Sequence, residues 1–235
     1  MDLSIIIVSH GHEKFLSDLI ESISKQLDSS RFEILLLHNL PSVYSSSVPI
    51  KTFNNHTPRG LAENLNLLID KAQAPVSLIL NPDTKLPNKC LVTCLENLKP
   101  NHILSCPAFS MDGRRLVNLR LFPTLKDILR ERFLDPHARL RIQSKLELNP
   151  SNNCWLQGSF LMGNTEIFRK IAFDTNYKLY FEDVDFFRRC KMLEIPIQYI
   201  QKTYYIHHHC QASSKALSAE FWIHCRSAFR YFSGF

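Results

Sequence analysis

The sequence predicts an α/β domain whose mixed, mostly parallel central sheet is flanked by helices, and three observations carry that expectation. Residues 3–8, 32–37 and 76–80 are short apolar runs without period, as strands buried on both faces are. Helix-period stripes separate them, at Leu16, Leu19, Ile20 and Ile23 and again at Leu61, Leu65, Leu68, Ile69 and Ala72. The resulting β-α-β-α-β order requires parallel strands joined by crossover helices.

The first run ends in Ser9-His10-Gly11-His12, a loop whose glycine permits close approach. The second ends in His38-Asn39-Leu40-Pro41, followed by a serine-rich loop and a short strand near residues 50–53. Thr57-Pro58 reads as a helix N-cap with proline at the first helical position. The run at 76–80 stops at Asn81-Pro82, which leaves Asp83 at the carboxyl end of a central strand. Open α/β sheets bind ligands at that edge. A lone carboxylate there suits a hard cation and, through it, a diphosphate. An ordinary turn aspartate is the simpler reading of these residues taken alone.

Farther along, Leu91, Cys94, Leu95 and Leu98 form a helical stripe, residues 103–106 a strand, and Asp112-Gly113 a hairpin turn. Residues 119–150 are basic and hold no β-branched run, so two short helices are expected, around Ile128-Leu129 and Leu140. They shape a binding surface or form a solvated basic pair. Residues 154–162 read as a strand interrupted by Gly158, and Asn164 as the cap of a helix carrying Ile167, Phe168 and Ile171. Phe186, Cys190 and Leu193 share a helical face, which puts Glu182 and Asp183 at that helix's N-terminus. The macrodipole there favours ionised carboxylates. Asp183 as a plain N-cap and Asp183 as a working acid are both open, although Glu182, Asp183 and Asp185 together exceed what a cap needs. Strands at 195–200 and 203–206 follow, and the second runs into His207-His208-His209-Cys210. Ser213-Ser214 then caps a last helix with Leu217, Phe221, Ala228 and Phe232 on one side, to pack on the sheet or rest on a membrane.

Composition narrows the class. With 235 residues, 45% hydrophobic and 21% charged, the chain is globular rather than disordered, and no repeat or linker divides it. The net charge of +6 favours anionic partners without choosing among them. Seven cysteines without paired spacing indicate a reducing compartment. The start lacks a basic leader and no apolar stretch approaches the roughly 18 residues of a membrane span, so a cytoplasmic protein is expected. His10, His12 and the triple histidine match no zinc-hydrolase spacing, and no aromatic-basic motif supports nucleic-acid binding.

In this order the motifs resemble the family 2 glycosyltransferases, inverting enzymes of the GT-A fold, over nearly the whole chain. Among them the chain looks most like bacterial rhamnosyltransferase-type enzymes of surface polysaccharide assembly. The opening strand with Ser9, His10 and Gly11 resembles the nucleotide loop, and Arg59-Gly60-Leu61-Ala62-Glu63-Asn64-Leu65-Asn66 resembles the family's glycine-to-asparagine helix start. Leu80-Asn81-Pro82-Asp83-Thr84 is similar to the metal-binding segment, with Asp83 on Mg²⁺ or Mn²⁺. The stretch from Trp155 to Met162, with Gly158 inside it, resembles the acceptor strand, and Tyr180-Phe181-Glu182-Asp183-Val184-Asp185 the acidic motif with Asp183 as general base. Glu182 and Asp185 would orient the base or the acceptor. The element from His207 to Ser213 resembles one near the donor diphosphate, where His207 or His209, on one strand face, would add a hydrogen bond.

The resemblance implies one GT-A domain over 1–235, with residues 1–106 binding the nucleotide sugar and 107–235 supplying acceptor binding and catalysis. It implies a donor such as dTDP-rhamnose or a UDP-sugar and a glycan or lipid-linked oligosaccharide acceptor. A peripheral contact with the inner face of the cytoplasmic membrane would suit such an acceptor. His38-Asn39 departs from the family, which often ends its second strand with an aspartate that holds the nucleoside; Asn39 still offers a hydrogen bond there. That departure is the best support for a rival of another class, a non-catalytic sugar-nucleotide-binding subunit of a polysaccharide assembly complex. Retention of Asp83 with Glu182-Asp183 argues against the rival.

Overall fold

Leu3–Ser9 (β1) and Phe32–His38 (β2) are buried at every residue, which is why they are mostly apolar, with buried Ser4 donating its hydroxyl to Glu33 Oε1 (2.6 Å). Successive side chains serve opposite faces. Leu3, Ile5 and Ile7 pack with Leu16, Leu19 and Leu91 in one core, whereas Ile6 and Val8 pack with Leu65, Leu68 and Phe168 in another. Helices Glu13–Ser24 (α1) and Cys90–Asn97 (α3) therefore cover one face of the sheet. Leu61–Lys71 (α2), Thr165–Ile171 (α5) and Glu182–Met192 (α6) cover the other. This computed structural model describes residues 1–124, 136–148, 150, 153–208 and 219–233.

Lys51–Asn54 (β3), Val76–Leu80 (β4), Ile103–Ser105 (β6), Phe160–Asn164 (β10) and Ile197–Tyr199 (β11) complete a seven-stranded sheet ordered β11-β6-β10-β4-β1-β2-β3. β10 runs antiparallel to both neighbours, and the remaining pairings are parallel. The chain leaves β1 toward β2 and β3, then returns to the other side of β1 as β4. The strand order thus reverses between β1 and β4, and their carboxyl ends flank the crevice where such sheets bind ligands. Thr84–Lys85 (β5), Ala108–Phe109 (β7) and Tyr205–His207 (β12) form a small sheet beyond that edge. Leu119–Leu121 (β8) pairs with Cys154–Leu156 (β9). Pro136–Leu148 (α4) docks through Gln143, whose Oε1 accepts the N–H groups of Asn118 and Leu119. Ala219–Ser233 (α7) closes the described chain, and no described helix is long and apolar enough to cross a membrane.

Four local expectations change. Thr57-Pro58 does not start α2: Gly60 is its N-cap, because Asn39 grips the N–H and carbonyl of Arg59 and keeps the preceding loop extended. A Cβ on Gly60 would lie 3.2 Å from Lys178 Cα, so this close approach favours glycine. Residues 119–150 are not wholly helical, since β8 forms once β9 supplies a partner, and Ile128-Leu129 lies outside the described residues. Residues 154–162 are two strands in two sheets, with the chain changing sheets at residues 157–159. Leu193 falls just past α6 and is 49% exposed instead of sharing the buried face of Phe186 and Cys190.

Candidate active site

Asp83 owes its position to the turn that ends β4. Asn81 N–H donates to the Ser159 carbonyl (3.1 Å), and the Asn81 carbonyl accepts the Thr84 N–H (3.2 Å) and hydroxyl (2.7 Å). The turn leaves Asp83 7% exposed, with its own carbonyl accepting the His208 N–H (2.9 Å). His207, on β12, places Nε2 3.2 Å from Asp83 Oδ1 and 3.4 Å from Asn81 Nδ2. Burial works against ionisation of Asp83, but the His207 hydrogen bond and the nearby charges of His207 and His12 outweigh it and hold the carboxyl below its usual range. An ionised carboxylate, an imidazole and an amide therefore converge at one point. The Asp83 carboxylate is an oxygen donor of the kind a hard divalent cation takes, and His207 holds it in place through a direct hydrogen bond.

The second carboxylate stands at the start of α6. Tyr180 and Phe181 precede it with φ of 65° and 66°, a left-handed backbone that bulky residues rarely adopt. α7 holds this strained corner: Ser227 Oγ donates to the Leu179 carbonyl, and His224 and Tyr231 pack against the Phe181 ring. Phe181 takes the N-cap position, so Asp183 is not the cap. Instead Asp183 Oδ2 accepts the Gly158 N–H (3.1 Å) and Oδ1 the Val184 N–H (2.9 Å). Burial raises the Asp183 pKa against these two donors and the charge of Arg120. Behind it Glu182 is buried, and its Oε2 meets no hydrogen-bonding partner among the described residues. Burial, and after it the Asp183 charge, push its carboxyl up to about 8, which favours the neutral form. Residues 157–159 join the two halves of the site, since Ser159 holds Asn81 while Gly158 holds Asp183. The bridge thus joins a carboxylate held ionised, Asp83, to a carboxyl of raised pKa, Asp183.

The expected donor residues divide into those at the crevice and those tied elsewhere. Ser9 lies at the β1 end, where its hydroxyl donates to Glu13 Oε1 (3.1 Å), and exposed His10 contacts Asn39 Nδ2 through Nδ1 (3.0 Å). Asn39 is fully engaged by Arg59, His10 and Asn55, so it shapes the loop carrying Arg59 and Gly60. Arg59 itself reaches Glu63 at the surface (3.2 Å). Asn66 is not available to a donor: its amide donates to the Phe173 carbonyl and accepts the Phe173 N–H, both at 2.8 Å. His209 lies outside the described residues. Two buried assemblies escaped the sequence reading, His38 Nδ1 on Glu13 (3.0 Å) and Asn55 on Asn64 (2.8 Å). Only the departure at His38 hinted at the first, and the apolar stripe of α2 masked Asn64.

On the acceptor side Gly158 is in place, and Trp155 donates its indole N–H to the Leu121 carbonyl (3.0 Å) with the Arg120 guanidinium 5.7 Å from its ring. Arg120 thus serves both Trp155 and Asp183, a role its place among many basic residues concealed. Asp185 is not brought to the crevice. Its oxygens are taken by Arg188 (2.7 Å) and Arg189 (2.8 Å), which tie α6 to α5 and α7 through the carbonyls of Ile171 and Tyr231.

Known proteins with this arrangement agree with one another. The model of a family described as glycosyl transferase family 2 matches residues 4–171. The rhamnosyltransferase WbbL of Escherichia coli (strain K12) is 24% identical over 248 residues, covering 97% of this chain and 91% of that relative. TarS 1-349 of S. aureus, solved with UDP-GlcNAc, superposes with a TM-score of 0.63 at 16% identity, over 99% of this chain and 73% of that one. The mannosyltransferase PcManGT of Pyrobaculum calidifontis, solved with GDP-Man and Mn²⁺, gives a TM-score of 0.62 at 11% identity, over 99% and 63%. At such identities the structural likeness speaks for the fold, which is the GT-A arrangement of a mostly parallel sheet between helices.

Proposed function

We propose, from the premise that the chain belongs to glycosyl transferase family 2, that it moves a sugar with inversion from a nucleoside diphosphate to a hydroxyl of a glycan or lipid-linked oligosaccharide. The observation that carries this reading is the bridge at residues 157–159, which sets Asp83 with His207 beside one end of the crevice and Asp183 beside the other. The donor lies along the carboxyl ends of β1 and β4, its diphosphate toward Asp83, His207 and Asn81. A divalent cation held by Asp83, Mg²⁺ or Mn²⁺, would neutralise charge on the departing diphosphate, with His207 steadying that carboxylate.

Asp183 takes the acceptor proton as the hydroxyl oxygen attacks the anomeric carbon and the bond to the diphosphate breaks on the opposite face. Its raised pKa makes it a stronger base than a solvated aspartate, and neutral Glu182 keeps a second charge from opposing its ionisation. Trp155 offers an aromatic face to an acceptor sugar. The WbbL likeness favours a dTDP-rhamnose donor, while TarS with UDP-GlcNAc keeps UDP-sugars in view. Exposed Trp222 and Phe229 on α7, with Arg226 between them, suit contact with an anionic membrane surface that carries a lipid-linked acceptor and so a role in surface polysaccharide synthesis.

Two measurements test the reading. Nucleoside diphosphates raise the melting temperature of a protein that binds them. A Mn²⁺-dependent rise is expected with one of UDP, dTDP or GDP, and no rise with any of them would overturn the donor site. Asp183→Asn should lower transfer by about 10²–10⁴-fold while leaving donor affinity unchanged. Wild-type turnover in that variant would remove Asp183 from the mechanism.

A further inference from the structure

Cys90 and Cys94 stand one turn apart on the inner side of α3, and Cys106 follows β6 across the core. Their three Sγ atoms lie within 4.8 Å of one another, and all three residues are without solvent exposure. Buried cysteines elsewhere, Cys154 and Cys190, belong to the core on the opposite face of the sheet. Three sulfurs sharing one ion at bonds of about 2.3 Å would be separated by about 4 Å, a spacing the cluster already approaches. The ligand set is all sulfur, which selects thiophilic ions over Mg²⁺, Ca²⁺ or Mn²⁺. Residues 201–204 pass beside the cluster: Gln201, Lys202 and Tyr204 are exposed, and half-buried Thr203 acts on the Cys90 thiol.

We propose that Cys90, Cys94 and Cys106 form a structural site for a thiophilic d¹⁰ cation of the Zn²⁺, Cd²⁺ or Cu(I) class, separate from the cation site at Asp83. Binding forms metal–sulfur bonds and releases thiol protons to solvent, with no change of oxidation state. The site would brace the catalytic edge. Tyr205 N–H donates to the Pro107 carbonyl (2.9 Å), next to Cys106, and β12 then delivers His207 to Asp83. A cation at the cluster fastens α3, the end of β6 and the segment leading into β12 to one point.

The test uses the full chain carrying Cys210→Ser and Cys225→Ser, which removes exposed Cys225 and a cysteine outside the cluster. The protein is kept reduced with a phosphine and titrated with Cd²⁺, whose bonds to thiolate absorb in the ultraviolet. One tightly held equivalent is expected, with a charge-transfer band, proton release and a raised melting temperature. Adding Cys94→Ala should abolish the band and the bound equivalent, whereas Cys190→Ala should keep both. Failure of the reduced, folded protein to take up Cd²⁺ against a chelator overturns the proposal, as does an undiminished band in Cys94→Ala. If Cys94→Ala does not fold, alkylation in dilute urea decides between the outcomes. Slower labelling of all three thiols with Cd²⁺ supports the site, and equal labelling with and without it refutes it.

Discussion

Glu182→Gln turns the buried acid into a measurable slope. Glu182 is 7% exposed, its Oε2 meets no partner among the described residues, and its pKa rises from 4.5 to about 8 through burial and the Asp183 charge. Below pH 4.5 the folded and unfolded chains both hold the proton, and above about 8 both have lost it. Between those limits the folded chain keeps a proton that the unfolded chain has released, so stability falls as pH rises, by about 1.4 kcal/mol per pH unit. Glutamine has the same shape and no proton to lose, and Asp183 remains in both chains, so the difference reports the Glu182 proton together with its coupling to Asp183. Urea denaturation of both proteins from about pH 5 to 9 should therefore show the variant gaining on wild type with that slope and levelling off above about pH 8. A stability difference that does not change with pH would refute the reasoning, because it would mean that Glu182 is ionised in the folded protein.

Three further outcomes follow from the same contacts. Asp185→Ala leaves Arg188 and Arg189 without their carboxylate; with Arg188 still 40% exposed, a loss of about 2–3 kcal/mol is expected, less than for a fully buried pair. An unchanged urea midpoint would contradict the clamp. Asn66→Ala removes both bonds to Phe173 and should cost about 1–3 kcal/mol without altering nucleotide affinity, whereas weakened affinity at unchanged stability would restore its donor role. His207→Ala should weaken Mn²⁺-dependent nucleotide binding by about 10–100-fold in titration calorimetry, and wild-type affinity would separate His207 from the cation site.

The sequence by itself determined the central strands β1, β2 and β4, the helices that cross between them, and the position of Asp83 at the end of β4. Strands buried on both faces are mostly apolar runs, and a turn such as Asn81-Pro82 is signalled by its own residues. Those are local causes, readable along the chain. Local pattern reports that a residue is buried or polar, but not what it meets. Asn66 and Asp185 look like site residues because they sit beside the right motifs, yet Phe173, Arg188 and Arg189 claim their side chains. Only the tertiary structure placed β10 antiparallel between β4 and β6, and this pairing carries Ser159 to Asn81 and Gly158 to Asp183. It also gathered Cys106 with two cysteines of α3. Pairing across such sequence distances is decided by which apolar faces fill the core together, a property of the assembled layers that no single segment contains.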